Sequence, residues 1–492
     1  MSMGLGTLKS LLKLCFPIFI FALQACSDSS EPVDAIGQID SPPMTEASTG
    51  QPNIIFILVD DMGWNDVGYH GSEIATPNLD QLALDGIQLH RNYVYPVCSS
   101  TRAALLTGQS PFKYGIDGPV GDHAGMPLNI RTMPEYLKAL GYQTHMVGKW
   151  HLGLVDPAYF PFARGFDSHY GFLGGWVDYY THVYNGGLDW QRDGVSVREE
   201  GYTTELLTAE ALRLIESKSS VDDPFFLYLS YNAPHTPLQP LEAPTGLNES
   251  LTPEDRYVYA EMVTDLDADI GKIVETLEAM DLLQDTLVIF SSDNGGATGS
   301  GASNGVLREG KGGAFEGGLR VPGLVWWQGH IEGGRLLEQP ILAQDWLPTL
   351  FEAIGEQPSN VVNIDGQSMW PAIADGELVE RLPATIGVAG SVAAFDWPWK
   401  LVDHTARGPN GERTIQLFNV EADPREIVDL ALVQPEIYQQ LNALIEAIPE
   451  VESLRSVGPP PEVQFRNEEG GWNFEFTALE SRSPWADSSL SD

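Results

Sequence analysis

Asn53-Ile54-Ile55-Phe56-Ile57-Leu58-Val59-Asp60-Asp61 is apolar without a break from Ile54 to Val59 and then ends in two carboxylates. A strand with one wet face alternates, whereas a strand buried on both faces reads as a continuous apolar run. Phe225-Phe226-Leu227-Tyr228-Leu229, Thr286-Leu287-Val288-Ile289-Phe290 and Val321 to Trp327 have the same character. Between these runs, Pro77 to Ile87, Met133 to Leu140, Thr203 to Ile215 and Pro253 to Leu283 carry helical spacing. In the last, Tyr259, Met262, Val263, Leu266, Ile270, Ile273 and Leu277 step by three and four along one side. Strands alternating with helices predict an α/β fold with a large, mostly parallel sheet covered by helices.

This pattern runs from residue 52 to about residue 380, the expected catalytic domain. Beyond it, residues 381–492 read as a smaller C-terminal α+β domain and tail. There Trp397-Pro398-Trp399-Lys400-Leu401-Val402 is a strand that Pro398 confines to an edge or delays, and Pro435 to Ile448 reads as a helix. At the other end, Lys9 and Lys13 precede an apolar stretch from Leu14 to Leu23, closed by Gln24-Ala25-Cys26. Residues 1–25 are expected to be a lipoprotein signal peptide, with Cys26 lipidated, and residues 26–51, rich in Ser, Pro and acids, a flexible tether. The chain is therefore expected to be exported, and either lipid-anchored to the cell envelope at the outer membrane or periplasmic.

Of 492 residues, 27 are Lys or Arg and 68 are Asp or Glu, a net charge of −41. No basic face is available to neutralise phosphates, which excludes a nucleic-acid partner. Hydrophobic residues at 43% supply enough material for a core, which excludes a disordered chain. Cys98 is the one cysteine outside the first 26 residues, so in an oxidising compartment it has no disulfide partner.

Two apolar runs end in acid-bearing pairs, Asp60-Asp61 and Asp293-Asn294. Ligands of open α/β sheets bind beyond the carboxyl ends of the strands, where distant residues converge. Three carboxylates and an amide oxygen suit a hard cation, Ca²⁺ or Mg²⁺. In Cys98-Ser99-Ser100-Thr101-Arg102-Ala103-Ala104-Leu105-Leu106-Thr107-Gly108, Ser99 or Ser100 can cap the helix that follows, placing Cys98 at an anion-attracting helix end. A plain thiol mismatches a hard cation, whereas an oxygen nucleophile made from it fits.

These residues resemble the type I, formylglycine-dependent sulfatases, and within them the arylsulfatase B (N-acetylgalactosamine-4-sulfatase) type. Beyond the Cys98 segment, the resemblance rests on Asp60-Asp61-Met62-Gly63-Trp64-Asn65-Asp66, Val147-Gly148-Lys149-Trp150-His151, Ala233-Pro234-His235, Asp293-Asn294-Gly295-Gly296 and Lys311-Gly312-Gly313-Ala314-Phe315-Glu316-Gly317-Gly318. Gly165-Phe166-Asp167 and Asp178-Tyr179-Tyr180-Thr181-His182 carry the arylsulfatase B likeness.

The resemblance implies an alkaline-phosphatase-like sulfatase fold. It implies that a formylglycine-generating or sulfatase-maturing enzyme oxidises Cys98 to formylglycine (3-oxoalanine), whose hydrate attacks sulfur. It assigns one Ca²⁺ to Asp60, Asp61, Asp293, Asn294 and the residue 98 oxygen. Arg102 and Lys149 would support the diol and Lys311 would grip the sulfate. His235 would protonate the leaving sugar oxygen, and His151 would take the proton that expels sulfate. One departure stands out: the family places Pro or Ala two residues after the cysteine and then Ser, whereas this chain has Ser100 and Thr101.

The expected substrate is a sulfated polysaccharide or its oligosaccharides, cleaved at the 4-O-sulfate of a galacto-configured sugar, with carrageenan ahead of ulvan and chondroitin or dermatan. Trp176, Tyr179, His182, Trp397 and Trp399 are candidate sugar contacts. The rival readings are a phosphoric ester hydrolase of the same superfamily and a catalytically inactive glycan-binding lipoprotein.

Overall fold

The apolar run quoted first forms strand β1, Asn53–Val59, in which every residue from Ile54 onward is buried. The structure, a computed structural model, describes residues 51–121, 124–154, 156–218, 223–405 and 412–455. The expected signal peptide, the Cys26 lipidation site, all but Gln51 of the tether, and the tail beyond Arg455 lie outside these residues. Among the described residues no helix is long and apolar enough to cross a membrane.

Four more strands lie parallel around β1: β2 (Gln143–Lys149), β3 (Ser168–Phe172), β4 (Phe225–Ser230) and β5 (Thr286–Ser292), in the order β5-β1-β4-β2-β3. Register is what places the chemistry. Val59 pairs with Ser292 and Leu58 with Ser230, while Ser230 also pairs with Gly148. Asp60-Asp61, Asp293-Asn294 and Lys149 therefore leave one sheet edge side by side. The approach of β2 to β4 requires glycine at 148, where φ is +109° and a Cβ would lie 1.8 Å from the Ser230 carbonyl oxygen.

The ten-stranded sheet as a whole is mixed, with antiparallel pairings flanking its parallel centre. The run Val321 to Trp327, expected to be one more buried strand, is split. Arg320–Val321 joins a separate three-stranded sheet, and only β6, Gly323–Trp326, enters the main sheet, antiparallel to β5. Pro322 between them has no N–H to give a ladder, which suits a break.

Helices cover the sheet. Among them, α1 spans Pro77–Asp85, α2 Cys98–Thr107, α3 Met133–Ala139, α4 Thr203–Glu216 and α5 Glu254–Ala279. The predicted stripe of α5 from Tyr259 to Leu277 is buried, and Glu254 and Asp255 complement the positive end of its dipole.

A smaller antiparallel sheet follows: β7 (Ala384–Val388), β8 (Ser391–Asp396), β9 (Trp399–Thr405) and β10 (Arg413–Asn419). Pro398 delays β9 rather than confining it to an edge, since β9 pairs on both sides. The helix Pro435–Glu446 buries Leu441 against Ala394, Leu401 and Leu417 of this sheet. On its other face Phe395, Val402 and Phe418 pack with Phe315 and Leu319, just beyond Lys311.

Candidate active site

The acid pairs meet as the register demands. The Asp61 backbone N–H donates to Asp293 Oδ1 at 3.3 Å, and Asn294 Nδ2 donates to Asp61 Oδ1 at 2.7 Å. Each carboxylate has a cation: Lys149 Nζ reaches Asp60 Oδ2 at 2.5 Å, Lys311 Nζ reaches Asp61 Oδ1 at 2.5 Å, and Arg102 Nη2 reaches Asp293 Oδ2 at 2.8 Å. Two acceptors stay unsatisfied: Asp60 Oδ1 and Asn294 Oδ1 are buried without a hydrogen-bond partner among the described residues. Orphaned buried oxygens are costly unless something charged occupies the space between them. Hard oxygens left open in this way fit a hard divalent cation.

Ligand atoms of Asp60, Asp61 and His235 lie within 4.8 Å of one another. That trio brings in His235, assigned a proton-donor role from sequence, and leaves Asp293 and Cys98 outside. Asp293 Oδ2 is taken by Arg102 instead. Burial pushes the carboxyls of Asp60 and Asp293 above their ordinary range, Lys149 opposing this at Asp60 and the Asp60 charge adding to it at Asp293. At Asp61 burial works the same way but is outweighed by Lys311 and His235, which hold that carboxyl well below the usual range. Burial likewise opposes the Lys311 charge, and Asp61 overcomes it, holding the ammonium above its ordinary range.

Helix α2 begins at Cys98, after an extended Val97. Ser99 and Ser100, expected as caps, sit inside its first turn. Ser99 Oγ donates to the His151 carbonyl and accepts from the Val120 N–H, both at 3.0 Å, while Ser100 Oγ donates to the Ile116 carbonyl at 3.1 Å. The two hydroxyls tie neighbouring loops to the helix, which draws them away from its free N–H groups. Cys98 Sγ lies 3.1 Å from His151 Nδ1.

Burial, aided by Lys149 and Arg102, holds the His151 imidazole well below its ordinary pKa, so it is neutral and able to accept a proton. Lys149 and His151 do not share a face by strand alternation, as their spacing suggested. His151 adopts φ +56°, the chain turns there, and the two side chains part, one to Asp60 and one to Cys98.

His235 follows β4. Its Nδ1 lies 2.6 Å from the Thr236 carbonyl, so Nδ1 carries the proton, and Nε2 faces Asp61 Oδ2 at 3.6 Å. The Lys311 loop is fastened close to Cys98 by the Gly312 N–H, which donates to the Pro96 carbonyl at 2.6 Å.

With this geometry in view, residues 52–356 match the Sulfatase family. The chain belongs to the sulfatase family. It is 34% identical over 470 residues to arylsulfatase J of Mus musculus, covering 82% of this chain and 77% of that protein. It is 34% identical over 390 residues to N-acetylgalactosamine-6-sulfatase of Sus scrofa, covering 71% and 72%. Among solved structures, Ps i-CgsB in complex with k-i-k-neocarrahexaose superposes with a TM-score of 0.75 at 34% identity, covering 80% of this chain and 92% of that one. The sulfatase is thus a sulfuric ester hydrolase with the alkaline-phosphatase-like sulfatase fold.

Within this sulfatase two of the predicted sugar contacts are structural. Tyr179 is fully buried, and its hydroxyl donates to the Asn232 and His235 carbonyls at 3.0 and 2.8 Å, positioning the His235 loop. His182 is buried in a stack on Trp190. Trp176, Trp397 and Trp399 are partly buried, packed on Tyr184, beneath Arg91 and against the inner face of the C-terminal helix, respectively. Ser230, whose hydroxyl accepts from Arg102 Nη1, went unread in the sequence, although its place at the end of an apolar run was the available signal.

Proposed function

We propose that this sulfatase is of the arylsulfatase B type, an exported enzyme tethered to the cell envelope through lipidated Cys26. It removes the 4-O-sulfate of a galacto-configured sugar from a sulfated polysaccharide of carrageenan type, ahead of ulvan or chondroitin. The carrageenan-derived oligosaccharide held by Ps i-CgsB supports the substrate class. The observation that carries the chemistry is Cys98 Sγ at 3.1 Å from a neutral His151 Nδ1, beside a buried cluster of hard oxygens.

Asp60, Asp61, Asp293 and Asn294 would hold Ca²⁺, which when bound supplies positive charge for a sulfate oxygen and for the oxygen on residue 98. Conversion of the Cys98 thiol to formylglycine by a maturing enzyme supplies that oxygen as a hydrated aldehyde. Ser100 and Thr101 are small enough to leave the segment open to such an enzyme before folding.

The chain's own residues supply the rest. His151, kept neutral by its surroundings, takes a proton from the residue 98 oxygen. Arg102 and Lys149, fixed by Asp293 and Asp60, hold that oxygen in place. Lys311 can transfer its charge from Asp61 to an incoming sulfate. Because His235 Nδ1 donates to a carbonyl, Nε2, beside Asp61, is the atom that takes up a second proton and passes it to the departing sugar oxygen. Burial lowers the His235 pKa, which makes its charged form a stronger acid.

Sulfate release from defined carrageenan, ulvan and chondroitin oligosaccharides tests the substrate, with release from 4-O-sulfated galacto units expected. Release from 6-O esters alone would overturn the position. Mass spectrometry of the peptide bearing residue 98 tests the nucleophile: an aldehyde is lighter than the thiol, and an unmodified thiol in active native material removes formylglycine from the proposal. Chelation should abolish turnover and Ca²⁺ restore it.

A further inference from the structure

A cavity of about 810 Å³ opens beside the cluster, between Val97 and Lys311 on one side and His404 and Arg455 on the other. That volume is toward the upper end for small-molecule sites and exceeds what one sugar ring fills. Val97 is the residue before Cys98, so the cavity starts at the reacting centre and leads outward.

Arg455 is brought there by the loop that follows α2. The Leu454 N–H donates to the Gly115 carbonyl at 2.8 Å, the Gly121 N–H donates to the Leu454 carbonyl at 3.0 Å, and Val120 pairs with Arg455 in an antiparallel bridge. Val120 is itself bonded to Ser99 on the Cys98 helix. The side chain of Arg455 lies across Gly118, where a Cβ would stand 2.4 Å from Nε. Glycine at 118 leaves this path open. Arg455 is therefore registered against the helix that carries the nucleophile.

Two facts make the guanidinium a recognition group rather than a structural one. It has no ion-pair or hydrogen-bond partner among the described residues, unlike Arg102 or Lys149. And it is, among the described residues, an unpaired cation in a chain of net charge −41, which otherwise repels a polyanion. A guanidinium presents a planar fork of donors that fits a sulfate or carboxylate through two oxygens.

His404, from β9, lines the same cavity. Ser391 Oγ accepts from the Ala314 N–H at 2.8 Å and lies 2.8 Å from His404 Nδ1. In the tautomer where Ser391 donates to Nδ1, the ring proton is on Nε2, 3.9 Å from Glu309 Oε1.

We propose that Arg455, with His404 Nε2–H beside it, forms a subsite for a second anionic group, the sulfate or carboxylate of a sugar next to the one whose ester is cleaved. The subsite rests on the sulfated-glycan reading above and deepens it: the sulfatase selects multiply charged oligosaccharides over singly sulfated ones.

The test compares wild type with Arg455→Gln on two carrageenan-type oligosaccharides of equal length, one carrying only the scissile sulfate and one carrying a further sulfate on the neighbouring sugar. Charge-assisted hydrogen bonds of this kind imply a loss of about tenfold or more in the ratio of kcat/KM for the doubly to the singly sulfated substrate. Taking the ratio within each protein cancels any loss of folded enzyme. An unchanged ratio overturns the subsite. The same pair of ligands is titrated by calorimetry into Cys98→Ala, with and without Arg455→Gln, and the affinity ratio is expected to fall likewise. An affinity ratio that does not move also overturns it. This arm decides on Arg455 even in a chain that releases no sulfate, so the subsite and the proposed function fail separately.

Discussion

Two clusters of buried charge sit on either side of the Lys311 loop, and they are built to different ends. In one, Asp60, Asp61 and Asp293 face Lys149, Lys311 and Arg102, yet Asp60 Oδ1 and the neighbouring Asn294 Oδ1 meet no donor. In the other, Lys400 Nζ lies 2.9 Å from Glu316 Oε1 and 2.8 Å from Glu426 Oε1. Tyr93 donates to Glu316 Oε2 at 2.8 Å and the Glu316 N–H to Glu426 Oε2 at 2.7 Å. Each carboxylate oxygen there faces a donor or cation, Glu426 Oε1 meeting Lys400 Nζ as an ion pair without hydrogen-bond geometry. The second cluster rivets the small antiparallel sheet to Tyr93 and the Glu316 helix, while the first leaves Asp60 Oδ1 and Asn294 Oδ1 without a hydrogen-bond donor among the described residues. Burial of charge alone does not mark a site; the convergence of strand-end acids with Cys98 and His151 does.

The sharpest way to break this contrast is at Cys98. Cys98→Ala is expected to lower sulfate release by roughly 10⁴-fold or more while leaving circular dichroism and thermal unfolding unchanged. Activity within tenfold of wild type would end the nucleophile assignment.

Next in size is the rivet. Lys400→Met leaves two buried carboxylates without their cation and is expected to cost about 3–5 kcal/mol in denaturant unfolding. Lys149→Met also strands an acid, but added Ca²⁺ should recover part of that loss, because an ion can replace the missing charge at Asp60. If Ca²⁺ rescued Lys400→Met equally, the two clusters would not differ as described.

A pH dependence follows from the same rivet. Burial, with Glu316 adding to it and Lys400 opposing, pushes the Glu426 carboxyl up to about 7, from 4.5 ordinarily. Between those values the folded chain holds a proton that the unfolded chain has shed, so this residue's contribution to stability falls as pH rises through the window. Glu426→Gln should flatten the slope of melting temperature against pH from about 4.5 to 7 relative to wild type. Parallel slopes in the two proteins would remove the assignment.

The smallest effect belongs to charge at the surface. Arg413 meets Asp403 at 2.8 and 2.5 Å across β9 and β10, but its side chain is 61% exposed. Arg413→Ala is expected to change unfolding free energy by less than about 1 kcal/mol and leave turnover alone.

Much of this protein is legible along its sequence because burial writes itself into composition. The run Ile54 to Val59 had to be a strand covered on both sides, and an acid pair directly after it had to emerge at the strand's carboxyl end. The helical stripe of α5 is equally plain. The misreadings fall where a distant partner decides. Ser99 and Ser100 look like caps until the His151 and Ile116 carbonyls claim their hydroxyls. Tyr179 and His182 look like a sugar platform until both prove buried. Val321 to Trp327 looks like one strand, and two sheets divide it at Pro322.

By itself, then, the order of residues determined the buried strands, the helices between them, and the stock of hard oxygens, cations and one cysteine from which a sulfatase site could be made. Tertiary structure alone decided that Lys311 meets Asp61 across 250 residues, that Arg102 takes one oxygen of Asp293, and that Arg455 lines the cavity beside Lys311. Periodicity and composition report whether a side chain is wet or dry. Which charge neutralises which is set by sheet register and loop docking, and these are fixed only when the strands pair.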